Sequence, residues 1–251
     1  HPVTTGLSNI DYFLSLNDAE PNNGQDHYTE HLIRLESVGT YFYRPSLPEN
    51  PSSRNVLGLP EQHNIYACPQ SLFKFHPDFD EILGQILRRD SHGQIVLIDG
   101  RIQHWSHLLQ KRFESSIPDV VDRIRFIPQM SHADFLSFLL QADVILDTIY
   151  FGGGKTSLEA FACGQPVVTL PGDFLRGRLT LAFYKQMGIM DCVANDTASY
   201  VDIAFTLAND KGWKKALTDK LQERSDVLYA NDQVIDELAW FFQQAMEKKP
   251  L

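Results

Sequence analysis

The chain has 251 residues, of which 43% are apolar and 22% are charged. This is an ordinary soluble composition, long enough for one large domain or a domain with appendages. Acidic residues outnumber basic ones by 32 to 22, for a formal net charge of −10. Such a balance argues against a nucleic-acid-binding surface, because such surfaces depend on Lys and Arg to neutralise phosphates. An anionic ligand must then be bound by a few locally placed hydrogen-bond donors.

The cysteine pattern and the hydropathy narrow the class of protein further. Cys68, Cys163 and Cys192 lie far apart and show neither zinc-ligand spacing nor a disulfide framework, which favours a reducing, cytoplasmic setting without a metal. No run of about 18 uncharged apolar residues suggests a membrane span. The N-terminal stretch HPVTTGLSNIDYF is not a signal peptide and lacks an initiator Met, so we expect a longer parent chain.

The first 45 residues contain two strand-like runs, at 10–16 and 40–45, with a short helix expected between them at 25–35. Too few apolar positions are present for an independent domain. We therefore expect residues 1–45 to be the tail of a preceding lobe or an extension packed on the sheet. The following Pro/Ser/Asn-rich stretch, 44–61, predicts an irregular crossing, and we assign 46–62 as a linker.

From residue 64 onward, short β-rich runs alternate with helical patterns. The runs are NIYACP (64–69), QIVLID (94–99), RIRFIP (123–128), DVILDT (143–148) and PVVTLP (166–171), while 79–89 and 133–141 carry helical periodicity. This alternation predicts right-handed βαβ units and an α/β fold with a doubly wound parallel sheet over 63–251. Ligands of such sheets bind outside the carboxyl ends of the strands.

The pattern after Gly172 is helical, which predicts a helical C-terminal tail. Helices are expected at 176–187, 197–209, 211–228 and 231–248.

The stretch FGGGKTSLEAFACGQP (151–166) has the composition of a phosphate-binding turn between a strand and a helix. An NTPase P-loop requires a glycine five residues before Gly154, where this chain has Ile149. A dinucleotide fingerprint places Ser157 at its third glycine and belongs after a first strand, whereas this strand is the fourth of the series. Both of these interpretations are weaker than a phosphate site built from a helix N-terminus.

Helix capping is the simpler alternative for the same residues. Thr156 and Glu159 have the spacing of a T-x-x-E capping box, in which the glycines would only shape the approach. Capping does not exclude anion binding, because the first N–H groups of a helix and its dipole attract a phosphate.

Three stretches, in order along the chain, resemble the nucleotide-sugar-dependent protein O-glycosyltransferases, that is, O-GlcNAc transferase and the SPINDLY-type O-fucosyltransferases. They are CPQSLFKFHPDF (68–79), RIRFIPQMSHADFLSFLLQADVILDT (123–148) and LDTIYFGGGKTSLEAFACGQPVVTLPG (146–172), and HPVTTG (1–6) resembles the end of the preceding lobe. The resemblance is strong over 64–175 and loose in the C-terminal helices.

The resemblance implies the GT-B arrangement, in which two Rossmann-like lobes face each other across a cleft and no catalytic metal or other cofactor is used. The chain would be the C-terminal lobe, which holds most of the donor, with the tail of the other lobe. Most of the N-terminal lobe, with the histidines proposed to assist catalysis, would lie outside this sequence.

The first matched segment carries the candidate catalytic residue. Lys74 matches the lysine that contacts the donor diphosphate, where an ammonium would offset charge on the leaving nucleotide. A solvated surface lysine is the ordinary alternative. Where the family often has a glutamine three residues upstream, this chain has Ser71, with Gln70 one residue earlier, and either could donate to phosphate.

The glycine loop carries the donor-binding candidates Gly153, Gly154, Lys155, Thr156 and Glu159. Lys155 and Thr156 match paired threonines of O-GlcNAc transferase, and Gly154 stands where that pattern has histidine. Glu159 matches the carboxylate that accepts both ribose hydroxyls, a role that suits its two oxygens.

Met130, His132 and Phe135 match the nucleobase side. Backbone groups near Met130 would read the base edge, and Phe135 would stack where the family often has histidine. A core position for Phe135 and simple exposure for His132 are the alternatives.

Other polar residues near the loop have structural roles as their simpler interpretation. Asp143 and Asp147 are four apart on one strand, and Asp147 begins the turn into the glycine loop, which favours a hydrogen-bonding role. Arg176 and Arg178 could approach the sugar or a peptide acceptor, or be ordinary surface arginines.

The resemblance therefore implies transfer of a sugar from a nucleotide diphosphate, with UDP-GlcNAc favoured over GDP-fucose and UDP-glucose, to Ser or Thr hydroxyls of a protein or peptide acceptor. TPR-like repeats often precede the catalytic lobes in this family. The alternatives are a non-catalytic nucleotide-sugar binding module and a Mg²⁺-dependent phosphate-loop hydrolase.

Overall fold

The computed structural model describes residues 3–247; His1 and Pro2 of the HPVTTG segment and position 248, the predicted end of the last helix, lie outside it. The strands are β1 Tyr12–Leu16, β2 His31–Leu35, β3 Asn64–Cys68, β4 Gly93–Ile98, β5 Ile124–Ile127, β6 Val144–Leu146 and β7 Val167–Val168. The α-helices are α1 Pro77–Arg89, α2 Gln103–Ser116, α3 His132–Gln141, α4 Lys155–Ala162, α5 Leu179–Met187, α6 Thr197–Asn209, α7 Lys211–Arg224 and α8 Gln233–Met246. Short 3₁₀ turns occupy Gly24–His27, Leu72–Lys74, Val121–Arg123, Leu175–Gly177 and Ser225–Leu228.

Strands β3 to β7 form one parallel sheet in the order β5-β4-β3-β6-β7. The chain therefore runs outward from β3 in one direction, then returns to the other side of β3 and continues outward from β6. Both faces of the sheet are covered by helices, and the strand residues are almost all buried, as βαβ crossovers require. The predicted doubly wound parallel sheet is confirmed, and all five predicted strands are present.

Helix α1 shows how local sequence sets the bounds of an element. Pro77 occupies the first turn, where its missing N–H costs nothing, and the His76 side chain accepts a hydrogen bond from Asp78 N–H. The apolar side chains at the spacing of one helical face are buried against the sheet: Phe79, Ile82, Leu83, Ile86 and Leu87. The C-terminal tail is helical as predicted, with the predicted helix at 211–228 ending as a 3₁₀ turn.

The prediction for the first 45 residues is wrong in two places. The expected helix at 25–35 is a 3₁₀ turn followed by β2, which pairs in parallel with β1. Leu32 and Leu35 are buried at a spacing of three, which on a helix would place them on one face, whereas on a strand they point to opposite faces. The spacing therefore favoured a helix where the chain forms a strand.

The expected strand at 40–45 is not formed, and the segment has no regular secondary structure. Phe42 packs at the edge of the core, and its carbonyl accepts a hydrogen bond from Ala230 N–H. A strand needs a neighbouring strand, and this segment instead crosses beside the C-terminal helices.

The stretch assigned as a linker is irregular and fixed to the sheet by one side chain. Arg54 donates to the carbonyls of Gln141 and His63 and forms a salt bridge of 2.8 Å with Asp143. Arg54 therefore lies at the amino-terminal edge of the sheet, opposite the edge where ligands of such folds bind.

Candidate functional site

The site lies where the strand order changes direction. β3 pairs with β4 on one side and with β6 on the other, so the loops after β3 and β6 diverge at the carboxyl edge and leave a crevice. In open α/β sheets ligands bind at this switch point. The β3 loop carries Gln70 and Lys74, and the β6 loop carries the three glycines and the start of α4.

Lys74 is directed into this crevice. Its Nζ donates to Gln70 Oε1 at 3.0 Å and to the Gly152 carbonyl at 2.8 Å, and it lies 4.6 Å from the centre of the Phe151 ring. Burial lowers the pKa of Lys74 below its ordinary value, while the Asp147 carboxylate opposes that shift. An ammonium has three N–H donors, so one is left for an anion once these two bonds are made.

Gln70, and not Ser71, joins the two loops. The Gln70 side chain is 4% exposed, and its Nε2 donates to Thr156 Oγ1 at 2.9 Å while its Oε1 accepts from Lys74. Ser71 is exposed. Of the two alternatives left open by the sequence, the geometry brings Gln70 to the glycine loop.

Position 153 requires a glycine because polar side chains surround it. A Cβ at this position would overlap Ser157 Oγ and lie 2.7 Å from both Gln70 Nε2 and Thr156 Oγ1. Real Cβ atoms do not approach polar atoms this closely, so only glycine keeps these side chains in place.

Helix α4 begins at Lys155, and its N-cap is Gly154, which has no side chain to cap it. The predicted T-x-x-E capping box is therefore wrong: Thr156 is the second helical residue, and its hydroxyl accepts from Gln70. Across residues 3–247, the backbone N–H groups of Gly154, Lys155 and Thr156 find no hydrogen-bond acceptor. Free N–H groups with the positive end of the helix dipole form an anion-binding position.

Glu159 contacts side chains from two helices instead of forming a helix cap. Its side chain is 4% exposed, and Oε1 lies 2.7 Å from His132 Nε2 and 3.4 Å from Lys155 Nζ. Three predicted site residues therefore meet across α3 and α4. His132 was considered as a simply exposed residue; its ring is exposed, but one edge contacts the buried carboxylate.

The other nucleobase-side candidates lie at the margin of the core. Met130 and Phe135 are half-buried and pack against the main hydrophobic cluster. Phe135 therefore packs against the core, as its helical spacing predicted. Its ring is only half-buried, so one part of it stays exposed. Stacking on a base remains a prediction for it.

Besides a cavity of about 630 Å³ that is lined in part by Gly154 and Lys155, two cavities flank Lys74. One, of about 470 Å³, lies over the β3, β4 and β5 loops and is lined by Gln70, Ser71, Asp99, Arg101, Trp105 and Gln129, among others. The other, of about 260 Å³, lies beyond Lys74 and is lined by Phe73, Tyr150, Phe151 and Arg176, among others. The crevice therefore continues on both sides of the Lys74 ammonium.

Sequence reasoning missed three aromatic residues at this edge. The ring of Phe73 makes edge contacts with the rings of Trp105 and Phe151, at centroid distances of 6.2 Å and 6.1 Å. Phe73 and Phe151 directly adjoin Lys74 and the glycines in sequence, which is the signal that could have found them. Trp105 comes from α2 and carries no such local signal.

The remaining candidates have structural contacts. Asp143 binds Arg54 and the Ile65 N–H at the amino end of β6, whereas Asp147 lies at the carboxyl end, so they are not an acid pair. Arg178 donates to the carbonyls of Ala19 and Gly172, which ties the N-terminal segment to the lobe.

Residues 3–247 contain no cluster of three or more His, Cys, Asp or Glu side chains that could hold a metal ion. Within the same residues, no helix is both long enough and apolar enough to cross a membrane.

Comparison with known proteins gives consistent matches. The model of glycosyl transferase family 41 matches residues 49–234. The chain is 27% identical over 228 residues to a probable UDP-N-acetylglucosamine–peptide N-acetylglucosaminyltransferase, SEC, of Arabidopsis thaliana, covering 88% of this chain and 23% of that protein. It is 27% identical over 219 residues to the SPINDLY protein of Solanum lycopersicum, which has the same enzyme description, covering 84% of this chain and 23% of that protein.

Among solved structures, a mutant O-GlcNAc transferase of Thermobaculum terrenum superposes with a TM-score of 0.82 at 26% identity. The superposition covers 97% of this chain and 46% of that one. The chain thus spans less than a quarter of the length of these two curated relatives and about half of this solved one.

Proposed function

The chain belongs to glycosyl transferase family 41, and on this premise we propose that it binds the diphosphate of a nucleotide-sugar donor for transfer of the sugar to Ser or Thr hydroxyls of proteins. UDP-GlcNAc is the proposed donor, because the relatives are described as transferases that use it. GDP-fucose and UDP-glucose are the alternative donors.

One observation carries the proposal: donors from two loops converge at the β3/β6 switch point. The Lys74 ammonium and the Thr156 hydroxyl are both bonded to the Gln70 amide, at 3.0 Å and 2.9 Å. The unpaired N–H groups at the start of α4 adjoin them. A diphosphate presents several acceptor oxygens and needs this kind of convergent donor set.

The chemistry follows from where charge develops. When the glycosidic bond breaks, negative charge accumulates on the departing diphosphate, and fixed donors at that position lower the barrier. Lys74 supplies a full charge in a partly desolvated position, Gly154 and Lys155 supply unpaired backbone N–H groups, and the Lys155 side chain adds a second charge. Gly153, whose N–H is bonded to Asp147, contributes by leaving room for the polar side chains around it.

Glu159 is proposed to accept the ribose hydroxyls, with His132 beside it. The backbone near Met130 and the ring of Phe135 are proposed to contact the base. Bound in this way, the donor would be held in one orientation relative to the acceptor, which supplies proximity.

No side chain of this chain is assigned as the general base. We propose that the acceptor hydroxyl is activated by an N-terminal lobe outside this sequence, or that the donor's own phosphate takes the proton. Partners are then that lobe, the protein or peptide acceptor and, in the parent protein, TPR-like repeats. We also propose that the reaction uses no cofactor or metal and takes place in the cytoplasm; the three cysteines are free thiols, which agrees with a reducing compartment.

The second candidate is a nucleotide-sugar binding module without transferase activity. It applies to the chain taken by itself, which spans 46% of the solved O-GlcNAc transferase chain. A crevice bounded on one side can bind a donor without completing the reaction. UDP release from UDP-GlcNAc by the parent protein, in the presence of an acceptor peptide, separates the two candidates.

Calorimetric titration of the chain with UDP, GDP and ADP, with and without Mg²⁺, tests donor binding. We expect one nucleoside diphosphate to bind without Mg²⁺ and Lys74→Ala and Glu159→Ala to weaken it by about tenfold or more, as expected for hydrogen bonds to charged groups. Indifference of the affinity to both substitutions would remove the site assignment, and binding only with Mg²⁺ would favour a phosphate-loop hydrolase.

Lys214 provides the matched control. It is also a lysine whose pKa burial lowers, and its Nζ donates to a backbone carbonyl, that of Ala142, at 3.1 Å. Ala142 precedes β6, so this lysine lies at the amino edge of the sheet. Lys214→Ala is expected to lower stability while leaving nucleotide affinity unchanged.

A further inference from the structure

A single peptide group, between Gly152 and Gly153, is bonded to two side chains of opposite charge. Its carbonyl accepts from Lys74 Nζ at 2.8 Å, and its N–H donates to Asp147 Oδ1 at 2.6 Å. The described residues contain no cis peptide bond, and the C=O and N–H of a trans peptide point in opposite directions. Lys74 and Asp147 therefore lie on opposite sides of the glycine loop, with this peptide between them.

The Asp147 carboxylate is a fixed point of the fold. The residue is 1% exposed, and Oδ2 accepts from Thr180 Oγ1 at 2.7 Å and from Thr169 Oγ1 at 3.0 Å. Its backbone carbonyl accepts from the Tyr200 hydroxyl at 2.8 Å. Donors from α5, α6 and the end of β7 thus hold this residue from three directions.

The same carboxylate explains why position 152 is a glycine. A Cβ at position 152 would lie 2.7 Å from Asp147 Oδ2 and 3.1 Å from Oδ1. The carboxylate therefore occupies the space that any other residue at this position would need, and the loop passes against it without a side chain.

The two charges favour the same orientation of the peptide. The ammonium faces the negative end of the peptide dipole and the carboxylate faces the positive end, and both hydrogen bonds are charge-assisted. If the peptide turned over, its carbonyl would meet the carboxylate and its N–H would meet the ammonium. In a buried setting both contacts would be repulsive, so the observed orientation is the one that the charges select.

We propose that Asp147 is a positioning residue for diphosphate binding, which it serves by holding the Gly152–Gly153 peptide and, through that peptide, the Lys74 ammonium. The inference rests on the proposed function, because it assigns the remaining N–H of Lys74 to the diphosphate. The negative charge of Asp147 is required as well as its hydrogen bonds, because a neutral amide such as Asn can either accept from the peptide N–H or donate to the peptide carbonyl and so does not select one direction of the peptide.

The test is a double-mutant cycle read with two ligands. Affinities for UDP and UMP, or for GDP and GMP if the wild type prefers guanine, are measured by calorimetry for wild type, Asp147→Asn, Lys74→Met and the double variant. We expect Asp147→Asn to weaken UDP binding about tenfold and UMP binding less than twofold. In the Lys74→Met background, the same substitution is expected to change UDP affinity less than twofold, because the group it positions is gone.

Asp143→Asn is the matched control, since Asp143 also accepts a backbone N–H, from Ile65 at 2.7 Å, but at the amino end of the same strand. It is expected to leave the ratio of UMP to UDP dissociation constants at the wild-type value. Asp147→Ser, a second neutral variant, is used if the Asn variant does not fold.

The outcomes distinguish a failure of the positioning role of Asp147 from a failure of the proposed function. A loss that is equal for UDP and UMP, or equal with and without Lys74, overturns the positioning role and leaves a structural one. Failure of both neutral variants to fold also overturns it, because the carboxylate would then be supporting the fold itself. If the wild type binds neither diphosphate more tightly than its monophosphate, the proposed function fails and the inference falls with it.

Discussion

The substitution Gly153→Ala tests whether the glycine loop is a built phosphate site or only a tight turn. The added methyl group would overlap Ser157 Oγ and come within 2.7 Å of Gln70 Nε2 and Thr156 Oγ1. All three side chains must rotate away, which breaks the Gln70–Thr156 bond of 2.9 Å and the Ser157–Thr180 bond of 2.8 Å.

The expected magnitudes follow from these two bonds. Each is worth about 1 kcal/mol net, so we expect the free energy of unfolding to fall by about 2 kcal/mol. A hydrogen bond to a charged phosphate is worth about 1.5–3 kcal/mol, so displacing the Thr156 hydroxyl is expected to weaken UDP binding about 10- to 100-fold.

Urea unfolding followed by circular dichroism gives the stability change, and calorimetric titration with UDP gives the affinity. Gly172→Ala is the control, because the nearest atom to its added Cβ would be Tyr150 Cδ1 at 3.7 Å, an ordinary contact. A folded Gly153→Ala protein that binds UDP within twofold of wild type would refute the phosphate-site reasoning.

Three further changes test separate parts of the structure. Because burial lowers the pKa of Lys74, its ammonium is lost as pH rises through that lowered value. UDP affinity measured by calorimetry should therefore fall at a pH below the ordinary lysine pKa of about 10.4 in wild type. It should persist in Lys74→Arg, whose guanidinium stays charged. The idea fails if both profiles fall together. Glu159→Gln should reduce the preference for UDP over 2′,3′-dideoxy-UDP, measured by competition, since the carboxylate is proposed to accept the ribose hydroxyls; an unchanged preference would assign Glu159 to structure alone. Arg54→Ala should lower the urea-derived unfolding free energy by about 1–3 kcal/mol, because it removes bonds to the half-buried Gln141 carbonyl and Asp143 carboxylate. UDP affinity should not change, and a loss of affinity would contradict the assignment of the sheet edges.

The parallel sheet could be predicted because its signals are local. Each strand from β3 to β7 is a short apolar run, and α1 shows apolar residues on one helical face with Pro77 in its first turn. Alternation of such elements admits few topologies. The glycine loop was also recognisable, because its residues are contiguous in the sequence.

The fold decided which residues meet across long sequence separations. Gln70 and Thr156 are 86 residues apart, and His132 and Glu159 are 27 apart. In each case the spacing gives no sign of the contact, because the contact depends on which strands are neighbours. The same is true of Trp105, which reaches the crevice from α2.

The sequence by itself determined the alternation of strands and helices from residue 64 onward, the place of the glycine loop and the family resemblance, because these depend on periodicity and on motifs within short windows. Only the tertiary structure decided that residues 31–35 form a strand beside β1, that Glu159 faces His132 instead of capping its own helix, and that one glycine peptide lies between Lys74 and Asp147. A short apolar pattern does not by itself fix a helix or a strand, and a polar side chain can bond locally or at a distance. Packing resolves both ambiguities, because burial leaves each backbone and polar group only the partners that the neighbouring elements bring to it.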